Sequence, residues 1–138
     1  MGIDKAVLLG IVAFIFTYMI ELLIGYNILL IAVISESIKI IAIIELIKRI
    51  NFSPVAYGFF CGFGYAIANI IYLLIIYSSG IFGAGYNIQL HIILVTVRHI
   101  TTTTISASAL HRRWLVLLSF TISVVMSILF SVIILQVV

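Results

Sequence analysis

Five apolar stretches, about 6–24, 28–47, 55–77, 88–110 and 114–138, take up almost the whole chain. Each approaches or exceeds the roughly 20 residues that an α-helix needs to cross a hydrocarbon core of about 30 Å. Of the 138 residues 65% are hydrophobic and 8% are charged, and the mean hydropathy is +1.44. A soluble domain is typically about 45–50% apolar and about 25% charged, so no water-facing fold hides this much apolar surface. The solvent of this chain is lipid. The expected fold is an all-α integral membrane protein, a bundle of five transmembrane helices forming a single domain over residues 1–138.

The breaks between the stretches consist of turn and interface residues. Gly25-Tyr26-Asn27 makes a tight turn, Lys48 to Pro54 is a polar loop ending in the only proline, and Ser78 to Asn87 is rich in glycine. His111-Arg112-Arg113 precedes Trp114, a residue suited to the membrane interface. With five crossings, Lys5, Lys48, Arg49, Arg112 and Arg113 share one side of the bilayer, and the opposite connections and the C-terminus carry no Lys or Arg. The positive-inside rule then predicts the N-terminus inside and the C-terminus outside, in a multi-pass protein of the cell membrane. The shortness of the Gly25 turn leaves a reserve reading of four spans, with the first two stretches as one broken element. The stretch from Ala6 to Ile24 is long, carries Glu21 and lacks a small-residue cleavage site, so it is read as a retained span. The net charge of +3 is scattered in ones and twos and reports topology, with no nucleic-acid partner expected. Cys61, the single cysteine, permits no internal disulfide and reads as a small buried hydrophobe.

Glu36, Lys39, Arg98 and His99 stand out because they fall near the middle of their stretches. An ionised side chain at the bilayer centre costs about 2.5–3.5 kcal/mol on insertion scales, so three left unpaired cost roughly 8–10 kcal/mol. With a rise of about 1.5 Å per residue, these four and Asn69 land in one slab of the membrane. Glu36, Lys39, Asn69, Arg98 and His99 are therefore the predicted midplane polar cluster. Glu36 and Lys39, three apart, share a helix face. Arg98 finds only Glu36 as a carboxylate at its level, which predicts one carboxylate shared by two cations, with Asn69 completing the hydrogen bonds. His91, Arg98 and Thr102 share a face of the fourth stretch. Glu21 lies near the outer end of the first stretch, where it can be hydrated, and Glu45 is read as a surface ion pair with Lys48 or Arg49. No local spacing such as H-E-x-x-H accompanies the histidines, so no metal and no cofactor are expected.

Small residues predict where helices approach one another. Gly58, Gly62 and Ala66 form a small-xxx-small pattern, which lets backbones come close in lipid. Ser119, Ser123, Ser127 and Ser131 recur every four residues and form a polar stripe on one helix face, a packing seam either inside the bundle or between protomers. Thr101 to Thr104 and Ser106 to Ala109 make the inner half of the fourth stretch small nearly all round, as suits an enclosed helix.

Three segments, in order, resemble the PrsW-type intramembrane protease superfamily, whose helices carry an E-E-x-x-K motif, a glycine-rich helix ending in E-N, and an arginine followed by a histidine. Here they read Ser35-Glu36-Ser37-Ile38-Lys39, then Gly62 to Asn69 and on to Tyr72, then Arg98 with Ser106 about where the histidine would stand. The resemblance covers roughly residues 30–110. Glu36, Lys39, Asn69 and Arg98 match, whereas Ser35, Ala68 and Ser106 replace the first glutamate, the glutamate before the asparagine and the histidine. An active member would use Glu36, Lys39 and Arg98, and the replaced groups are those expected to drive acid–base or metal-assisted attack on a peptide bond. The resemblance thus implies a degenerate, non-proteolytic member; the superfamily is thought to include a scaffold-type subunit of a larger membrane protease. The expected function is a non-catalytic scaffold or accessory subunit that packs with itself or with other membrane proteins in the lipid bilayer. The alternatives are a metal-dependent or Glu-dependent intramembrane protease and an oligomeric conduit for ions, protons or small solutes.

Overall fold

The computed structural model describes residues 2–25, 27–47, 53–81, 86–110 and 113–137, with the side chains of 46, 47, 113, 114 and 137 excepted. They form five α-helices: α1 (Ile3–Ile24), α2 (Ile28–Ile47), α3 (Pro54–Ser78), α4 (Ile88–Ala109) and α5 (Arg113–Val137). Helix boundaries follow local chemistry. Gly25 ends α1 at a φ of 75°, a conformation that only glycine adopts freely. Asn27 caps α2 by accepting from the Leu30 amide at 3.1 Å, and Asn87 caps α4 by accepting from the Leu90 amide at 3.0 Å. Pro54 occupies the first turn of α3, where its missing N–H costs nothing.

Three of the helices, α1, α3 and the Leu115–Gln136 part of α5, are long and apolar enough to cross a membrane. The five expected spans are corrected to these three on length and composition. The reason is polar load: α2 carries Glu36, Lys39 and Glu45, and α4 carries Arg98, two histidines and four consecutive threonines. The chain is a membrane-embedded helix bundle. The reserve reading of one broken first element does not hold, because α1 and α2 are separate helices that run in opposite directions. Lys48, Arg49 and Arg112, on which the inside–outside assignment rests, lie outside the described residues with the side chains of Arg113 and Trp114; so does the proposed pairing of Glu45.

Contacts fix the directions. Phe14 of α1 meets Tyr65 and Tyr18 meets Tyr72, so α1 and α3 are parallel. Lys39 sits over Tyr65 and Ile43 packs on Cys61, which makes α2 antiparallel to α3. Among the described residues α1, α3, α4 and α5 touch one another only in that order, whereas α2 touches all four. Its buried residues Ala32, Ser35, Glu36, Lys39 and Ile43 recur at helical spacing and form the face around which the others are arranged.

The bundle is polar and small inside and apolar outside. Thr17, Ser35, Glu36, Lys39, His99, Thr102, Ser123 and Ser127 are buried, whereas Leu8, Phe16, Leu23, Leu117 and Leu135 are exposed. This is the arrangement lipid favours, since apolar burial drives no association there and close packing with interhelical hydrogen bonds does. Two glycine crossings supply the close packing. A Cβ on Gly58 would stand 2.8 Å from the Thr103 carbonyl oxygen, and one on Gly62 2.6 Å from that of His99, so this pair brings α3 against α4; Ala66 beside them is buried. The second crossing joins α1 to α3. A Cβ on Gly10 would collide with the Cys61 carbonyl oxygen, and one on Gly64 with that of Val7.

Candidate functional site

The spacing of three residues puts Glu36 and Lys39 on the inward face of α2. Lys39 Nζ lies 2.5 Å from Glu36 Oε1, and both side chains are wholly inaccessible. The same ammonium donates to Thr102 Oγ1 of α4 at 2.9 Å and stands 5.3 Å from the centre of the Tyr65 ring. Glu36 Oε2 has no hydrogen-bond partner among the described residues. An ion pair made within one helix, closed over by a hydroxyl and a ring, is a clasp holding α2 to α4.

Arg98 does not join it. The shared-carboxylate expectation is corrected here: Arg98 Nε donates to Ser127 Oγ at 2.9 Å and Nη1 to Ser131 Oγ at 3.0 Å. The serine stripe of α5 reaches the guanidinium from the opposite side and supplies neutral acceptors, so no second carboxylate contact is needed. His99 is buried against Tyr65, with ring centroids 4.3 Å apart, and its Nε2 accepts from Asn69 Nδ2 at 3.0 Å. An amide nitrogen can only donate, which puts the ring proton on Nδ1; that atom finds no partner among the described residues. The five midplane residues thus divide. Glu36 and Lys39 form the enclosed clasp, and Asn69, His99 and Arg98 line a cavity beside it.

The cavity has a volume of about 230 Å³ and extends from Ser35, Tyr65 and His99 at mid-bundle to Glu21 and His91 near one end. That end holds the Gly25 turn, the start of α4 and the close of α5. Phe14, Tyr18 and Glu21 form the α1 wall, at intervals of four and three that share a helix face. Tyr72 faces them from α3, its ring 4.5 Å from that of Tyr18. His91 lines the mouth and is hydrogen-bonded through Nδ1 to the Tyr86 hydroxyl. Glu21 and Arg98 share this cavity without forming an ion pair with each other. Glu21 is half-buried on the cavity wall near that end, a placement that its spacing from Phe14 and Tyr18 marks.

The serine seam lies within the chain. Ser123 Oγ donates to the Thr102 carbonyl at 3.1 Å and lies 2.9 Å from Ser106 Oγ, tying α5 to α4 next to the clasp. Ser119, by contrast, bonds back to the Val116 carbonyl of its own helix at 3.0 Å. Ser123→Ala is therefore expected to lower stability by about 1 kcal/mol, the scale of interhelical hydrogen bonds in membranes. Ser119→Ala should change it little. Unfolding of the two variants in mixed micelles separates them, and equal losses would contradict the assignment. The α1–α3 crossing at Gly10 and Gly64 is a contact that sequence reasoning missed. Ala6, Gly10, Ala13 and Thr17, all buried, are the small residues at helical spacing that mark it.

Among the described residues no three His, Cys, Asp or Glu side chains converge on one point. The carboxylate that a metal of the resembled protease type would need is bound to Lys39 instead, so the donor set does not fit one. The chain matches no protein-family model, no curated protein and no solved structure.

Proposed function

We propose that this chain is a non-catalytic, multi-pass membrane protein, a degenerate relative of the PrsW-type proteases that serves as a scaffold or accessory subunit. The observation that carries the reading is the closure of Glu36. The one matching acidic residue of the motif is inaccessible and bound to Lys39, and so cannot activate water at a substrate bond. Ser106, where the histidine would stand, is engaged with Ser123, and Ala68 offers no acid. The alternating directions of the helices support a multi-pass arrangement, in which α2 and α4 run alongside their apolar neighbours and bury most of their polar groups among them.

A conduit is less well supported. The cavity lining runs from mid-bundle to the Glu21 end, and the packed layer of Ile43, Cys61 and Ala107 lies on the other side of the clasp. Contact with other proteins must use faces that the chain leaves free, because Gly58, Gly62, Ser123 and Ser127 are engaged internally. The outer faces of α1 and α5, lined by residues such as Leu8, Phe16 and Leu117, are those surfaces.

Extraction from native membranes in a mild maltoside detergent, followed by mass measurement, is expected to give a particle larger than one chain and its micelle. A lone monomer would overturn the scaffold reading. Glu36→Gln combined with Lys39→Met, which leaves no unpaired charge at the clasp, should leave any co-purifying assembly intact. Cleavage of a membrane substrate that disappears in this variant would restore the protease reading.

A further inference from the structure

We infer that the Arg98 cavity is a binding site for a small zwitterion, a molecule that carries an ammonium group and a phosphate or carboxylate. The inference goes beyond the scaffold reading and does not depend on it. A cavity of about 230 Å³ is smaller than the roughly 300–1,000 Å³ of pockets for drug-sized ligands, which suits a headgroup or a small metabolite.

The two ends of the cavity carry complementary equipment. At one, Ser127 and Ser131 each take an N–H of Arg98 and hold the guanidinium in a fixed orientation. The remaining N–H groups, on Nη1 and Nη2, have no acceptor among the described residues. A planar fork with spare donors is the group that recognises phosphate or carboxylate through paired hydrogen bonds. At the other end, Glu21 sits beside Tyr18 and Tyr72, whose rings are 4.5 Å apart, with Phe14 next along the wall. A carboxylate flanked by aromatic faces is the usual surrounding for an ammonium or a quaternary ammonium.

Charge balance selects the ligand class. Glu21 and Arg98 occupy one cavity and attract each other across it, yet they form no contact ion pair, so each still lacks a direct partner for its charge. Each charge within the membrane is costly while it lacks a counter-charge. A simple anion would satisfy Arg98 and confront Glu21, and a simple cation would do the reverse. Only a ligand with both charges completes both ends. The ligand could come from a zwitterionic lipid headgroup or from a free zwitterion.

The test uses the full chain purified in maltoside, with retention measured by native mass spectrometry. The probes are phosphatidylethanolamine and phosphatidylglycerol as lipids, and glycerophosphocholine and glycine betaine as soluble zwitterions. The wild type is expected to retain a zwitterionic probe in preference to phosphatidylglycerol. Retention of the lipid alone assigns the headgroup as the source; retention of a soluble probe alone assigns a free zwitterion. Arg98→Gln should weaken binding roughly tenfold, about the loss of one charge-assisted hydrogen bond, and Arg98→Lys should recover part of it. Glu21→Gln, a change at a half-buried position, should invert the selectivity towards phosphatidylglycerol. Retention of no probe, equal retention of zwitterion and anion by the wild type, or an unchanged preference in Glu21→Gln would overturn the inference.

Discussion

Lys39→Met is expected to destabilise the protein by about 3–5 kcal/mol, the cost of removing one member of a buried ion pair. Glu36 has no route to water, and its Oε2 already lacks a partner among the described residues. Without the ammonium its charge would be uncompensated, and Thr102 would lose its donor on α2. The double variant Glu36→Gln with Lys39→Met should recover most of the loss, since neutral groups of similar size often replace buried pairs at little cost. Unfolding of the four proteins in mixed micelles completes a double-mutant cycle, with a large favourable coupling expected between the two residues. If the two single losses simply add in the double variant, the clasp does not hold the helices together as described.

The second large effect concerns Gly10. Alanine is a good helix former and would ordinarily stabilise a helix relative to glycine by about 1 kcal/mol. At Gly10 the sign should reverse. The added methyl would collide with the Cys61 carbonyl oxygen and stand 2.8 Å from the Tyr65 amide nitrogen, and both obstacles are main chain. Helices α1 and α3 would have to separate, disturbing the Phe14–Tyr65 and Tyr18–Tyr72 contacts further along. A loss of about 3 kcal/mol, the upper part of the range for overpacking, is expected for Gly10→Ala. Gly2→Ala is the control. There the nearest obstacle, at 2.8 Å, is the tip of the Tyr57 side chain and no main-chain atom, so a smaller loss is expected. Equal thermal shifts for Gly2→Ala and Gly10→Ala would show that the α1–α3 crossing is looser than these contacts imply.

The sequence carries the helices well and their mutual arrangement poorly. Gly25, Asn27, Pro54 and Asn87 act on their own neighbours, so the breaks between apolar stretches located each helix to within a few residues. The grouping of Glu36 with Lys39 was equally legible, because a spacing of three fixes a shared face. Partners across the bundle were not. Arg98 was assigned to Glu36 because charge alone was counted; the serine stripe marked the packing face of the fifth helix, but not which side chain it would meet. The surroundings of Glu21 were hidden for a related reason. Its depth suggests contact with water, but only the packing of α1 on α3 shows that it faces a cavity. The Gly58 and Gly10 crossings obey the same close-approach rule, and the second went unread because its small residues lie among larger ones.

The different reach of the two cationic contacts has a consequence for how the chain is made. Lys39 finds its counter-charge three residues away, within its own helix, so the two midplane charges of α2 are matched as soon as that helix forms. Arg98 must wait for hydroxyls 29 and 33 residues downstream. The side-chain acceptors of the fourth helix's guanidinium therefore exist only once most of the fifth helix has been made.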